Sequence, residues 1–151
     1  LYETRWVPDH AAALAALHEP ALDPARTIVL EQEPLPVSHP PADEAPALGF
    51  TSYETNRLSL RVGTPTPAYL LLSEVYYPGW RATLDGQEVE VWRADYLFRA
   101  IYVPAGAHEV RLWFSPSSFW AGLAVSVSSW ICLLVVAVMA WRRRARDFSQ
   151  I

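Results

Sequence analysis

The spacing of apolar and polar positions divides this chain into stretches with different periods. Over residues 48–114 the alternation is mostly two-residue, as expected of strands whose successive side chains point to opposite faces. Leu58, Leu60 and Val62 alternate with Ser59 and Arg61, and Val110, Leu112 and Phe114 alternate with Glu109, Arg111 and Trp113. Residues 68–76 are more continuously apolar, like a central strand covered on both faces. Asp85-Gly86 lies between residues 81–84 and 87–92. Both turn positions tolerate positive φ, so a hairpin is expected there. Val89 and Val91 then share one face, and Glu88, Glu90 and Trp92 the other. Residues 96–103 and 108–114 read as two more strands, joined through Pro104-Ala105-Gly106-Ala107. Short strands with such turns predict a mainly β fold, a β-sandwich over residues 48–116.

The N-terminal part has a different rhythm. Residues 2–7 read as a short strand, and Pro8-Asp9 supplies an N-cap for the alanine-rich residues 10–17. That helix is expected to use Leu14 and Leu17 as its packing face. His18-Glu19-Pro20 ends it, and residues 27–30 form a second strand, giving strand–helix–strand over residues 1–32. Residues 33–47 carry Pro34, Pro36, Pro40, Pro41 and Pro46. Prolines lack the amide proton a ladder needs, so this stretch is expected to be an extended loop.

The third stretch has no polar period at all. Residues 119–141 are 23 residues without a charge, followed at once by Arg142, Arg143, Arg144 and Arg146. A helix of that length spans about 34 Å, against a hydrocarbon core of about 30 Å. Residues 119–141 are therefore expected to be a transmembrane helix, with Trp113, Phe119, Trp120 and Trp141 near the two interfaces and Phe114 packed in the sheet. The arginines place the tail, residues 142–151, in the cytoplasm and the rest outside. Only residues 115–118 join the last strand to the helix, so the sheet is expected to stand close to the bilayer. An exported domain needs an upstream segment to start translocation. The chain is thus expected to be the C-terminal piece of a longer membrane protein, or a bitopic protein without its signal peptide.

Charge and chemistry narrow the function classes. Before Ser118, eight arginines face fifteen acidic residues, and an acidic ectodomain of this kind argues against nucleic acid as a partner. The one cysteine, Cys132, lies mid-helix, which excludes an intrachain disulfide. His10, His18, His39 and His108 are scattered without metal-ligand spacing. No phosphate-cradling glycine loop or nucleophile elbow is present. Neither a catalytic set, a metal site nor a cofactor is therefore expected, and a membrane-anchored hydrolase is disfavoured.

The distinctive stretch is Tyr76-Tyr77-Pro78-Gly79-Trp80, followed by Asp85-Gly86, then Arg93-Ala94-Asp95-Tyr96-Leu97-Phe98-Arg99-Ala100, then Val103-Pro104-Ala105-Gly106. In this order and ahead of a membrane helix, the four elements closely resemble the C-terminal end of the YfhO-like bacterial membrane proteins. Tyr2-Glu3, Trp6-Val7-Pro8-Asp9, Asp23-Pro24 and Val29-Leu30-Glu31 extend the resemblance over nearly the whole chain. It implies a polytopic protein of the bacterial cytoplasmic membrane, similar to glycosyltransferases that use polyprenyl-phosphate-linked sugars. This chain would be its non-catalytic extracytoplasmic domain and last helix. The implied partners are the bilayer, the remaining transmembrane helices, and an envelope glycan or polyprenyl-phosphate sugar. The competing reading is a membrane-tethered β-sandwich that binds or supports without enzymatic activity.

Two groups of residues are candidates for those contacts. Tyr76, Tyr77, Trp80, Trp92, Arg93, Asp95, Tyr96 and Arg99 combine rings that stack on sugars with groups that hydrogen-bond hydroxyls. The alternative for them is a packed corner with Arg93–Asp95 or Asp95–Arg99 ion pairs. Gly122, Ser126 and Ser129 lie at small-residue spacing for close helix packing, though a serine also bonds its own helix backbone.

Overall fold

The computed structural model describes residues 1–40 and 44–147, with the side chains of all of these except residue 140 and residues 142–147. Residues 41–43 of the Pro-rich stretch and 148–151 of the tail lie outside the described residues. The described residues form ten strands and two helices. In chain order they are β1 Glu3–Trp6, α1 His10–Leu17, β2 Thr27–Leu30, β3 Ala47–Glu54, β4 Arg57–Thr64 and β5 Ala68–Leu72. There follow β6 Trp80–Leu84, β7 Gln87–Val89, β8 Trp92–Ala94, β9 Phe98–Val103, β10 Gly106–Phe114 and α2 Ser117–Asp147. Two compact units divide after Ser115, the first being Leu1–Ser115.

The strands make two five-stranded sheets, ordered β1-β2-β8-β9-β5 and β3-β4-β10-β6-β7. Among the described residues only the β1–β2 pair is parallel, because α1 provides its crossover. The two-residue alternation becomes the core directly. Leu58, Leu60 and Val62 of β4 and Val110 and Leu112 of β10 pack against Leu72, Ile101 and Val103 of the other sheet. Burying each such side chain contributes about 1.5–3 kcal/mol, and this shared core makes the pair of sheets a sandwich. The outer face of the first sheet is covered too. Ile28, Leu30, Tyr69, Trp92, Ala94 and Ala100 form a second cluster there. Part of the Pro-rich stretch is tied down across it, with Leu35 N donating to the Tyr69 hydroxyl at 2.9 Å and the Tyr102 hydroxyl donating to Pro36 O at 3.1 Å.

Several expected elements end earlier than their apolar pattern. The strand expected over 87–92 divides: β7 belongs to one sheet and β8 to the other, so the chain changes sheets near Glu90-Val91. The strand expected from residue 96 starts at Phe98, because Asp95 and Tyr96 adopt φ of 46° and 67°. The strand expected to reach Tyr76 stops at Leu72, where Glu74 N donates back to Leu72 O at 2.7 Å. In α1 the Asp9 carboxylate caps Ala12 N at 2.8 Å. The residues it buries are Ala13 and Ala16 against Val7 and Val29, with Leu17 partly covered and Leu14 exposed. Small alanines let the helix lie close on β2, and that closeness leaves Leu14 at the rim.

Over Ser117–Met139, α2 is long and apolar enough to cross a membrane, and none of that window is buried against protein. A core helix of a water-soluble domain would be mostly covered. Ser126 Oγ donates to Gly122 O at 2.9 Å, and Ser129 Oγ to Val125 O at 2.8 Å, so both hydroxyls are satisfied along their own helix. Both serines and Gly122 are exposed on it.

Candidate functional site

The eight residues predicted to form a carbohydrate face come from the turn 73–79, strands β6, β8 and β9, and the turn 95–97. Tyr76 N donates to Leu97 O at 2.6 Å, which ties the two turns together. Gly79, at φ 116°, lets the chain reverse into β6, and its carbonyl accepts from Ser115 N at 2.7 Å. The turns therefore gather at the end of the sandwich where β10 finishes, hereafter the exit end. The predicted residues do not share one surface there, however. They divide into three environments.

Arg99 and Trp80 form the first. Arg93 and Arg99 are directly opposite each other in the β8–β9 ladder, so two like charges share one face, an arrangement that costs stability unless each is compensated. Arg99 is only 1% exposed, and its Nη2 donates to the Glu74 carboxylate. Its guanidinium carbon lies 3.8 Å from the centroid of the Trp80 ring, a cation–π contact in a desolvated place. Nε and Nη1 have no hydrogen-bond partner among the described residues. Burial lowers the Arg99 pKa from its ordinary value, with Tyr53 acting the other way. Glu74 also accepts from the Tyr53 hydroxyl of β3, and Trp80 packs against Phe114 at 5.4 Å between centroids. This arginine is a strut between the sheets, closed over by its own partners. Tyr77 lies beside Phe114 at 6.1 Å and remains 62% exposed.

The second environment is open. The Arg93 guanidinium lies 5.0 Å from the Tyr76 ring centroid, and its Nη1 is 3.8 Å from Glu31 Oε2. His10 Nδ1 is 2.8 Å from Glu31 Oε1, and the His10 ring stacks on Tyr96 at 3.8 Å. Nδ1 also lies 3.4 Å from Arg93 Nη1. It cannot donate to Glu31 and accept from Arg93 at once, so the shorter Glu31 bond makes it a donor. Tyr76, Arg93 and Tyr96 are each partly exposed. Together with His10 and Glu31 they present two ring systems, a cation and a carboxylate on one patch.

The third environment is structural. Trp92 is 9% exposed and tilts against Tyr69 at 5.5 Å within the outer cluster. Asp95 Oδ1 accepts from Val29 N at 2.8 Å, while Asp95 N donates to Val29 O at 2.9 Å. The side chain and backbone of one turn residue thus clamp β2. Burial raises the Asp95 pKa, opposed by the Val29 amide. The expected Arg93–Asp95 and Asp95–Arg99 pairs do not form among the described residues. Left-handed backbone at Asp95 turns its carboxylate to β2, and the arginines find Glu31 and Glu74 instead.

Sequence reasoning missed His10, Glu31 and Tyr53 as members of these clusters. Their partners lie on distant strands, and no local spacing announces a tertiary pair. Glu74 is a lone acid in the sequence, and only the fold shows that Arg99 is its partner. Among the described residues no group of three or more His, Cys, Asp or Glu side chains is placed to hold a metal.

A β-sandwich with its surface patch at one end, followed by a helix able to cross a bilayer, defines a membrane-associated protein. A family model described as bacterial membrane protein YfhO matches residues 44–126, more than half of the chain. The chain belongs to the YfhO family of bacterial membrane proteins. No curated protein and no solved structure gives a significant match.

Proposed function

We propose that this chain is the extracytoplasmic C-terminal part of an envelope glycosyltransferase that uses a polyprenyl-phosphate sugar donor. In that reaction an acceptor hydroxyl oxygen attacks the anomeric carbon of the sugar and loses its proton to a base. The bond to the lipid phosphate breaks as the phosphate leaves. The base and acid belong to other helices of a longer protein, and Gly122, Ser126 and Ser129 are where a neighbouring helix approaches α2. The arginines from 142 onward stay cytoplasmic, which puts the sandwich outside.

The sandwich holds acceptor glycan rather than performing the transfer. The observation that supports this reading is the patch of Tyr76, Arg93, Tyr96, His10 and Glu31. Half-exposed rings beside an arginine and a carboxylate suit the apolar faces and hydroxyls of a sugar chain. Tyr77 and Trp80 extend the same end. Trp92, Asp95 and Arg99 support the patch from beneath.

The full chain in detergent, applied to an array of envelope glycans, tests this. Wild type binds, Arg93→Ala and Tyr76→Ala lose most of the binding, and all three melt at similar temperatures. A wild type that binds no glycan sinks the acceptor-holding role. Sugar transfer from a polyprenyl-phosphate donor by this chain alone overturns the assignment of catalysis elsewhere.

A further inference from the structure

The exit end carries exposed apolar tips, of which Tyr77 alone borders the proposed glycan patch. Val75, Tyr77 and Leu97 are exposed to 62%, 62% and 48% at the tips of its two turns. Exposed apolar tips cost solvation in water and invite a partner. At the opposite end of the sandwich the turns at Asp85-Gly86 and 104–106 carry no large exposed apolar side chain among the described residues, although Leu48 of β3, 56% exposed, lies near them. Beside the tips, the outer face of the second sheet ends on a row in which Trp113 stands opposite Arg57 on one side and Arg81 on the other. Both arginines are exposed and Trp113 is partly so. Arg81 is held by Glu88, and Arg57 has no ion pair among the described residues.

Chain connectivity limits what such an end can meet. Ser115, bonded to Gly79 between the tips and the row, is followed by one residue before α2 begins at Ser117. Two residues of extended chain reach about 7 Å, about the depth of one headgroup layer. Aliphatic and tyrosine tips bordered by tryptophan and arginine match the chemistry of that layer, where rings sit among headgroups and guanidinium groups meet phosphates.

We infer that the Val75, Tyr77 and Leu97 tips form a lipid-docking surface that inserts into the headgroup–acyl boundary of the protein's own bilayer, with Trp113 and Arg57 at its rim. The inference stands whether or not the neighbouring patch binds sugar. It is tested on the full chain in phosphatidylcholine nanodiscs holding one protein each, so that only its own bilayer is within reach. In a Cys132→Ala background, Val75→Cys, Leu97→Cys and Gln87→Cys each receive an environment-sensitive fluorophore. With nitroxide-labelled lipid in the disc, labels at 75 and 97 are quenched severalfold more than the label at 87, and their emission shifts to the blue. If either is quenched no more than the label at 87, the docking surface is wrong. Glycan binding is read separately, in detergent, so its failure leaves this result intact.

Discussion

The two ends of the sandwich solve the same backbone problem with opposite chemistry. At the hairpin end, Asp85 has φ 51°, and its carboxylate accepts from Glu109 N at 2.7 Å and meets His108 Nδ1 at 2.7 Å. At the exit end, Asp95 has φ 46° and accepts from Val29 N at 2.8 Å. Both are aspartates in left-handed backbone, and both pin a neighbouring strand through its amide. Yet the bond to His108 lowers the Asp85 pKa, while burial raises that of Asp95. The difference is water. The same residue in the same conformation is a solvated turn former at one end and a desolvated clamp at the other.

That contrast is sharpest at Arg99, the deepest charge of the exit end. Arg99→Ala leaves Glu74 without its cation and a void under Trp80, and is expected to cost about 3 kcal/mol. Arg99→Met fills the space without two unpaired nitrogens and is expected to cost clearly less. Thermal unfolding in detergent micelles compares them, and equal melting temperatures for both variants would remove the strut from the account.

Asp95 comes next. Asp95→Ala strips the buried Val29 amide of an acceptor and puts alanine at positive φ, for a loss of about 2 kcal/mol. Asp95→Asn keeps an acceptor and tolerates that conformation, so it is expected to lose less than about 1 kcal/mol. An asparagine as harmful as alanine would mean that the clamp needs the charge.

At the hairpin end Gly86 sits at φ 83°, with nothing within 4 Å of an added Cβ. Gly86→Ala therefore tests conformation alone and is expected to cost about 1 kcal/mol. A loss as large as that of Asp95→Ala would show that the two ends are less different than their solvation suggests.

The smallest effect is the sign of the acid response. Asp95, with its folded pKa raised, gives stability that is complete below the unfolded value of about 3.9 and is lost as pH rises through the folded pKa. Asp85, with its folded pKa lowered, gives stability present above about 3.9 and lost as pH falls through the folded pKa. Urea midpoints between acid and neutral pH should change slope in opposite directions in Asp85→Asn and Asp95→Asn. Slopes that move the same way would contradict the assignment of burial to one end only.

The two aspartates also show how far local pattern reaches. Asp85-Gly86 is legible in the chain because a two-residue turn between alternating strands is a local event, complete within its own bonds. Asp95 lies in a run of strand-like residues, and nothing beside it announces a left-handed turn. That conformation follows from the bonds its backbone and side chain make to Val29, which the chain reaches only after folding. The same reasoning separates the predicted carbohydrate residues. Their types were visible, but not which would face water. Arg93 and Arg99 read alike in sequence and stand opposite in one ladder, and Glu31 and Glu74 take one each to different depths.

By itself, then, the sequence determined the mainly β fold, the N-terminal strand–helix–strand, the membrane-length helix and the family, because periodicity, turn residues and length are local properties. Tertiary structure alone decided the sheet change after β7, the choice of Ala13 and Ala16 as the buried face of α1, and the division of the aromatic–arginine set into an open patch, a buried strut and a clamp. Those outcomes depend on which distant strand covers each side chain. Solvent exclusion and long-range pairing have no spacing that a chain can display in advance.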